Sequence, residues 1–233
     1  MSDTLPRQYA RTRGFSLGLP RSFTISPDGD RVLFLRSRHG SDPVTCLWEL
    51  DITQGRERLI VDPGDAAEEL PPEETIRRER VREQSRGVTT YTTDHAVTRA
   101  AYALSGRLWL VDLEAARVRE LPAAGLVVTP RLSPDGSAIA YVSGGSLRII
   151  DTDGTDHSAD RALATPEGRD VTYGRPEHVA AESMGRHRGF WWAPDSARLL
   201  IARVDDTPVR RLHLSNPADP GSPPVERAYP IAG

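Results

Sequence analysis

The chain is poor in the residue types that mark several large functional classes. It has one cysteine, Cys46, so no disulfide can form within it. That thiol lies between Thr45 and Leu47-Trp48 in a strand-like run and reads as a core residue, not a nucleophile. No apolar run reaches the length of a membrane span, and the opening MSDTLPRQYARTRG lacks an apolar signal core, so a cytoplasmic location with no membrane partner is expected. An excess of one charge is also missing. A net charge of -3 against 27% charged residues gives no electrostatic case for nucleic acid or an anionic membrane. The six histidines (His39, His95, His157, His178, His187, His213) show no H-x-x-x-H spacing, and there is no C-x-x-C pair. Metal sites are therefore expected to be none. No glycine-rich phosphate loop occurs, and no cofactor is expected.

What is present is punctuation. The 19 glycines and 19 prolines fall between short apolar runs, as turns of an all-β protein do. Phe23-Thr24-Ile25 leads into Ser26-Pro27-Asp28-Gly29 and then Arg31 to Arg36. Thr45 to Asp51 and Arg58 to Val61 complete a blade-sized set of four strands. In the turn, Pro pre-sets φ and Gly accepts a positive one. The cassette recurs at Ser133-Pro134-Asp135-Gly136 and at Ala193-Pro194-Asp195-Ser196. A degenerate copy has Tyr91-Thr92-Thr93-Asp94 in place of the turn, with Gly106 to Asp112 as its next strand. Such self-similarity predicts an all-β fold, a partial β-propeller of roughly four blades, more readily than a sandwich. Trp48, Trp109, Trp191 and Trp192 occupy strand positions and read as packing residues.

Two segments break the repeat and read as helical insertions, at about 70–87 and 176–189. The first, Pro72 to Glu83, closing at Gly87, has acids early and arginines late, with Glu73–Arg77 and Glu74–Arg78 spaced as i,i+4 pairs. Insertions into a repeat often collect on its binding face. The first fifteen residues are expected to form an irregular lead-in. Gly14-Phe15-Ser16-Leu17-Gly18 matches the G-x-S-x-G elbow, but Leu19-Pro20 and a strand follow where a helix must start, so the match is read as a decoy.

Glu182 is the acid that stands out. One reading is a surface ion pair with Arg186 at i+4. The other is a buried anion, among Ala180, Ala181, Met184 and Gly189, that binds a cation. The arginine-rich helix likewise reads either as a solvated charged face or as the bearer of one inward guanidinium able to grip a carbonyl or carboxylate.

The run E-H-V-A-A-E-S-M-G-R-H-R-G-F-W-W-A-P-D over residues 177–195 resembles the dipeptidyl peptidase IV branch of the prolyl oligopeptidase family, whose segment reads like V-A-x-E-E-M-x-R-x-x-G-Y-W-W-S-P-D. EETIRRERVRE followed by GVTTY is similar to the arginine-bearing helix of bacterial and cytosolic members related to dipeptidyl peptidases 8 and 9. The Ser-Pro-Asp-Gly blades fit the same N-terminal propeller, and the resemblance spans essentially the whole chain.

The resemblance implies a propeller that caps a separate α/β-hydrolase domain carrying a Ser-Asp-His triad. Two adjacent glutamates would bind the free N-terminal ammonium of a peptide and an arginine its carbonyl, so that dipeptides with Pro or Ala second are released. By position, Glu182 matches the first glutamate and Ser183 stands where the second belongs. Arg78, Arg80 and Arg82 match the arginine helix, with Arg80 the preferred inward residue. No triad is expected within residues 1–233, which would therefore be a non-catalytic substrate-binding and gating portion, truncated before its hydrolase domain. The expected partners are a peptide N-terminus and that hydrolase domain, with a homodimer only in the full-length context. The alternative is a non-enzymatic propeller module, or a relic, that binds a protein partner; the sequence encoded after Gly233 would discriminate.

Overall fold

The computed structural model describes residues 4–64, 70–154 and 159–229. His157 and residues 230–233 lie outside them, as does the Glu73 side chain.

The N-terminal lead-in holds a short helix, α1 (Leu5–Arg11), where an irregular segment is expected. Thr4 is extended and a proline sits in the first turn, both normal for a helix start. Ser16 lies in turns after this helix, donating from Oγ to the Arg13 carbonyl, and no strand precedes it among the described residues. It is not an elbow serine.

Three four-strand antiparallel sheets follow in chain order. The first is β1 (Arg21–Ile25), β2 (Arg31–Ser37), β3 (Val44–Asp51) and β4 (Arg56–Val61). After α2 (Pro72–Arg80), the short β5 (Arg86–Gly87) extends it by pairing parallel to β3. The second is β6 (Thr92–Thr93), β7 (Arg99–Leu104), β8 (Arg107–Asp112) and β9 (Arg117–Leu121). The third is β10 (Val128–Leu132), β11 (Ala138–Ser143), β12 (Ser146–Asp151) and β13 (Asp160–Ala164).

The turns explain the repeat. In the first blade, Ser26 Oγ donates to Asp28 and Gly29 N–H donates to the Ser26 carbonyl at 2.9 Å. Ser133, Asp135 and Gly136 repeat both bonds. In the degenerate copy Asp94 takes the serine's place, accepting from Thr98 N–H and Arg99 N–H, so the turn is Asp94 to Val97, displaced from Tyr91–Asp94. Val97 there adopts a positive φ of 56°, as Gly29 and Gly136 do at 80° and 73° in the parent turns. The first residue of the next strand ties the blades: Arg31 donates to the Val97 carbonyl at 2.9 Å, and Arg99 to the Gly136 carbonyl at 3.1 Å.

The hydroxyls of Ser133 and Ser137, with the Ser137 N–H, hold the Asp135 carboxyl down at about 2. A carboxylate stabilised in the fold contributes most above its unfolded value of 3.8, and that contribution is lost as pH falls toward about 2. Asp135→Asn is therefore expected to flatten the stability loss in that window, as read by acid titration of the folded signal. An unchanged acid limb would contradict the assignment.

The core lies between sheets rather than within them. Leu33, Leu35, Leu47 and Ile60 of the first blade pack on Val97, Ala100, Tyr102 and Val111 of the second. Leu108, Leu110 and Leu121 meet Ile139, Tyr141 and Ile150 of the third. Val128, Ala140, Val142 and Leu147 then meet Phe190. Face-to-face stacking of consecutive sheets is the packing of a propeller. Cys46 is fully buried in this core.

The fourth unit departs from the simple meander. β14 (Val171–Tyr173) pairs with β17 (Arg203–Asp205), and β15 (Phe190–Trp192) with β16 (Leu199–Ile201). Ala202 sits between β16 and β17; its N–H donates to Gly189 and its carbonyl accepts from Gly174. Thus β14 and β15 are two halves of one inner strand, and residues 175–188 are an excursion from its middle. That excursion carries α3 (His178–Ser183), shorter than the 176–189 insertion read from sequence. β18 (Arg211–Leu214) and β19 (Val225–Ala228) form a final hairpin. No helix among the described residues is long and apolar enough to cross a membrane.

Candidate functional site

The site is built where α2 and α3 meet. Glu177 caps α3, accepting from Val179 N–H at 2.8 Å and Ala180 N–H at 2.6 Å. Such a cap satisfies donors that the helix cannot. Ala180 and Ala181 are buried, which seats the inner side of α3 and turns Glu182, Ser183 and Met184 outward.

Glu182 is not buried. Its side chain is 42% exposed, and Arg80 Nε meets its Oε1 at 2.9 Å. Arg186 turns instead toward Glu177 at 3.9 Å and over the Trp191 ring at 5.9 Å, so the i,i+4 pairing with Glu182 does not form. The helix has ended by Met184, and the i+4 geometry ends with it. Arg80 is the residue with which Glu182 pairs among the described residues.

The three arginines of the sequence reading go to three places. Arg80 reaches Glu182. Arg78 is buried, pairing with Glu74 at 2.8 Å and donating to the Ser85 carbonyl at 3.2 Å. Arg82 follows the end of α2 at a φ of 53° and lines a different cleft with Arg13, Ser16 and Glu83. Arg78 and Arg82 are therefore not brought to Glu182. Burial opposes the charge of Glu74, but Arg77 and Arg78 outweigh it and hold its carboxyl below the usual range. This is an anchor for α2. It fixes the last turn from which Arg80 projects.

Beside the Arg80–Glu182 pair lies a cleft of about 230 Å³. Arg77, Arg80, Glu177, Ala181, His187 and Asp206 are among the residues that line it; Glu182 and Ser183 are not, so Glu182 joins it only through Arg80. Its wall mixes both charges with apolar Val128, Val204 and Val209. Such a surface suits a small zwitterionic or amide-bearing ligand. Sequence reasoning missed Glu177, because glutamate is not a favoured cap, and missed Asp206 and Arg77, which reach the cleft from distant segments. Among the described residues no group of three or more His, Cys, Asp or Glu is placed to hold a metal.

Comparison with known proteins bears on the family and the fold. The sequence model of the family described as "Dipeptidyl peptidase IV (DPP IV) N-terminal region" matches residues 85–233. The fold is similar to the crystal structure of Porphyromonas gingivalis dipeptidyl peptidase 4, with a TM-score of 0.66 and 19% sequence identity. The match covers 96% of this chain and 31% of that one.

Proposed function

Because the chain belongs to the family of dipeptidyl peptidase IV N-terminal regions, we propose that it binds the free N-terminus of a peptide and gates access to a hydrolase domain that supplies the chemistry. The observation that carries this reading is the Arg80–Glu182 pair, which joins the arginine helix to the glutamate segment at the edge of a cleft. The Glu182 carboxylate pairs with Arg80 yet is 42% exposed, so an ammonium can approach it from solvent. The remaining guanidinium N–H groups of Arg80 supply donors for the peptide's first carbonyl. The pair would then act as a ruler, selecting dipeptide-releasing substrates with Pro or Ala in second place. The arginine helix supports the branch related to dipeptidyl peptidases 8 and 9.

Ser183 moderates the site. It is exposed beside Glu182 and offers a hydroxyl where the family pattern has a second acid, so the ammonium meets one formal negative charge instead of two. A hydrogen bond to a charged group contributes roughly 1.5–3 kcal/mol, so Ser183→Glu is expected to tighten binding of a free-amine dipeptide amide about tenfold or more. Glu182→Gln is expected to weaken it by a similar factor, while the unfolding free energy changes by less than about 1 kcal/mol, as for an exposed pair. Calorimetric titration and chemical denaturation of the two variants measure these outcomes. Unchanged affinity in both would remove the amine-anchor reading.

A further inference from the structure

A second cleft, of about 300 Å³, opens on the wall shared by the second, third and fourth blades. Arg131, on the inner strand β10, and Arg188, at the end of the α3 excursion, both line it, together with Trp191 and Trp192. Arg131 is an unusual arginine. Its Nε is buried and has no hydrogen-bond partner. No ion pair is made by Arg131 or by Arg188 among the described residues. The one carboxylate lining this cleft, Asp94, is buried and consumed by its own turn, accepting from Thr98 N–H, Thr98 Oγ and Arg99 N–H at 2.7–2.9 Å. Burial, and then the like charges of Arg188 and Arg77, push the Arg131 guanidinium below its ordinary value.

Arg131 is half-buried, and a guanidinium drawn this far from water with an unbonded Nε ordinarily has a partner. The backbone here holds the group in place. The Arg131 carbonyl accepts from Trp192 Nε1 at 3.1 Å, and the Arg188 guanidinium lies 5.5 Å from the centre of the Trp191 ring. Two planar cations beside an aromatic wall, neither paired to the cleft's one carboxylate, form a receptor for a planar anion. We propose that Arg131 and Arg188 form an oxyanion site for the carboxylate of a peptide, presented as the side chain of an acidic residue. The inner strand supplies the geometry: Val128 and Thr129 line the first cleft, and Arg131 and Leu132 line the second. At roughly 3.3 Å per residue along a strand, the two clefts are only a few residues of extended peptide apart. A chain entering the first cleft can therefore place an acidic side chain in the second.

The site is independent of the amine anchor and is tested without it. The probes are N-acetyl-aspartyl amide, its asparagine counterpart, N-acetyl-glycine (a terminal carboxylate) and inorganic phosphate, at matched ionic strength. Tryptophan fluorescence and the melting temperature of the 233-residue chain are the readouts. The aspartyl probe is expected to shift both, the asparagine probe neither, and the glycine and phosphate probes less than the aspartyl one. Arg188→Gln, an exposed position, is expected to weaken the response about tenfold or more. Arg131→Met is expected to abolish the response and, by removing an uncompensated charge, to raise the melting temperature of the ligand-free chain. An aspartyl response retained in both arginine variants, or equalled by asparagine, would overturn the proposal. A response to phosphate or N-acetyl-glycine alone would overturn the side-chain assignment.

Discussion

Phe190→Ala is expected to be the most destabilising single change at the site's base, by about 3–5 kcal/mol. Phe190 is fully buried and packs with Val128, Ala140, Val142 and Leu147 of the third blade, while Tyr173, Trp192, Leu199 and Ile201 of the fourth unit pack around that cluster. It is also the first residue of the half-strand that resumes after the excursion, paired with Ile201. Truncation leaves a cavity in a closely packed wall, where a Cβ at Gly174 would stand only 3.0–3.3 Å from Val142, Leu147 and Phe190. The loss should therefore appear both in global unfolding and in the alignment of α3. Chemical denaturation gives the first; a ΔΔG below about 1 kcal/mol would show that the fourth unit is not docked through this residue.

Gly189→Ala is the second large effect, with a different cause. Gly189 and Gly174 are the two sides of the neck from which residues 175–188 depart, joined by the Gly189 N–H to Gly174 carbonyl bond at 3.1 Å. A Cβ at Gly189 would press into the backbone carbonyl of Arg175 and stand 2.7 Å from its nitrogen. These are backbone atoms of the opposite side of the neck, not the ends of flexible side chains, so the neck itself must open. Overpacking of this kind costs about 1–3 kcal/mol and displaces its surroundings. Since the neck aims α3 at α2, the expected result is loss of ligand binding at the first cleft with a smaller loss of global stability. Retained affinity in Gly189→Ala would show that the excursion is positioned by other contacts.

The two residues differ in how visible they are in a sequence. The blades were legible because each Ser-Pro-Asp-Gly turn is a local device, with its own hydroxyl, carboxylate and positive-φ glycine. The degenerate copy was harder: Asp94 replaces serine, and Val97 holds a conformation that valine disfavours, so the turn was placed a few residues early. The neck could not be read at all. It depends on β14 and β15 pairing to consecutive halves of residues 199–205, which no local pattern reports.

The site was legible in part. The glutamate segment and the arginine helix could be named, but their pairing spans a hundred residues of chain and depends on the excursion's direction. Glu182 was read as either a buried anion or a partner of Arg186; it is exposed and paired with Arg80. Arg78 and Arg80 lie two apart on a helix and must point to different sides, so only one could face Glu182. Buried Arg78 anchors the helix, and Arg80 reaches out.

The central claim, that Glu182 and Arg80 form an anchor for a peptide's free amine, is tested most directly by titrating the chain with Ala-Pro amide and with its N-acetylated form. Binding of the free-amine peptide at least about tenfold tighter than the acetylated one, with the difference abolished in Glu182→Gln, is the predicted result. Equal affinity for the two peptides would contradict it.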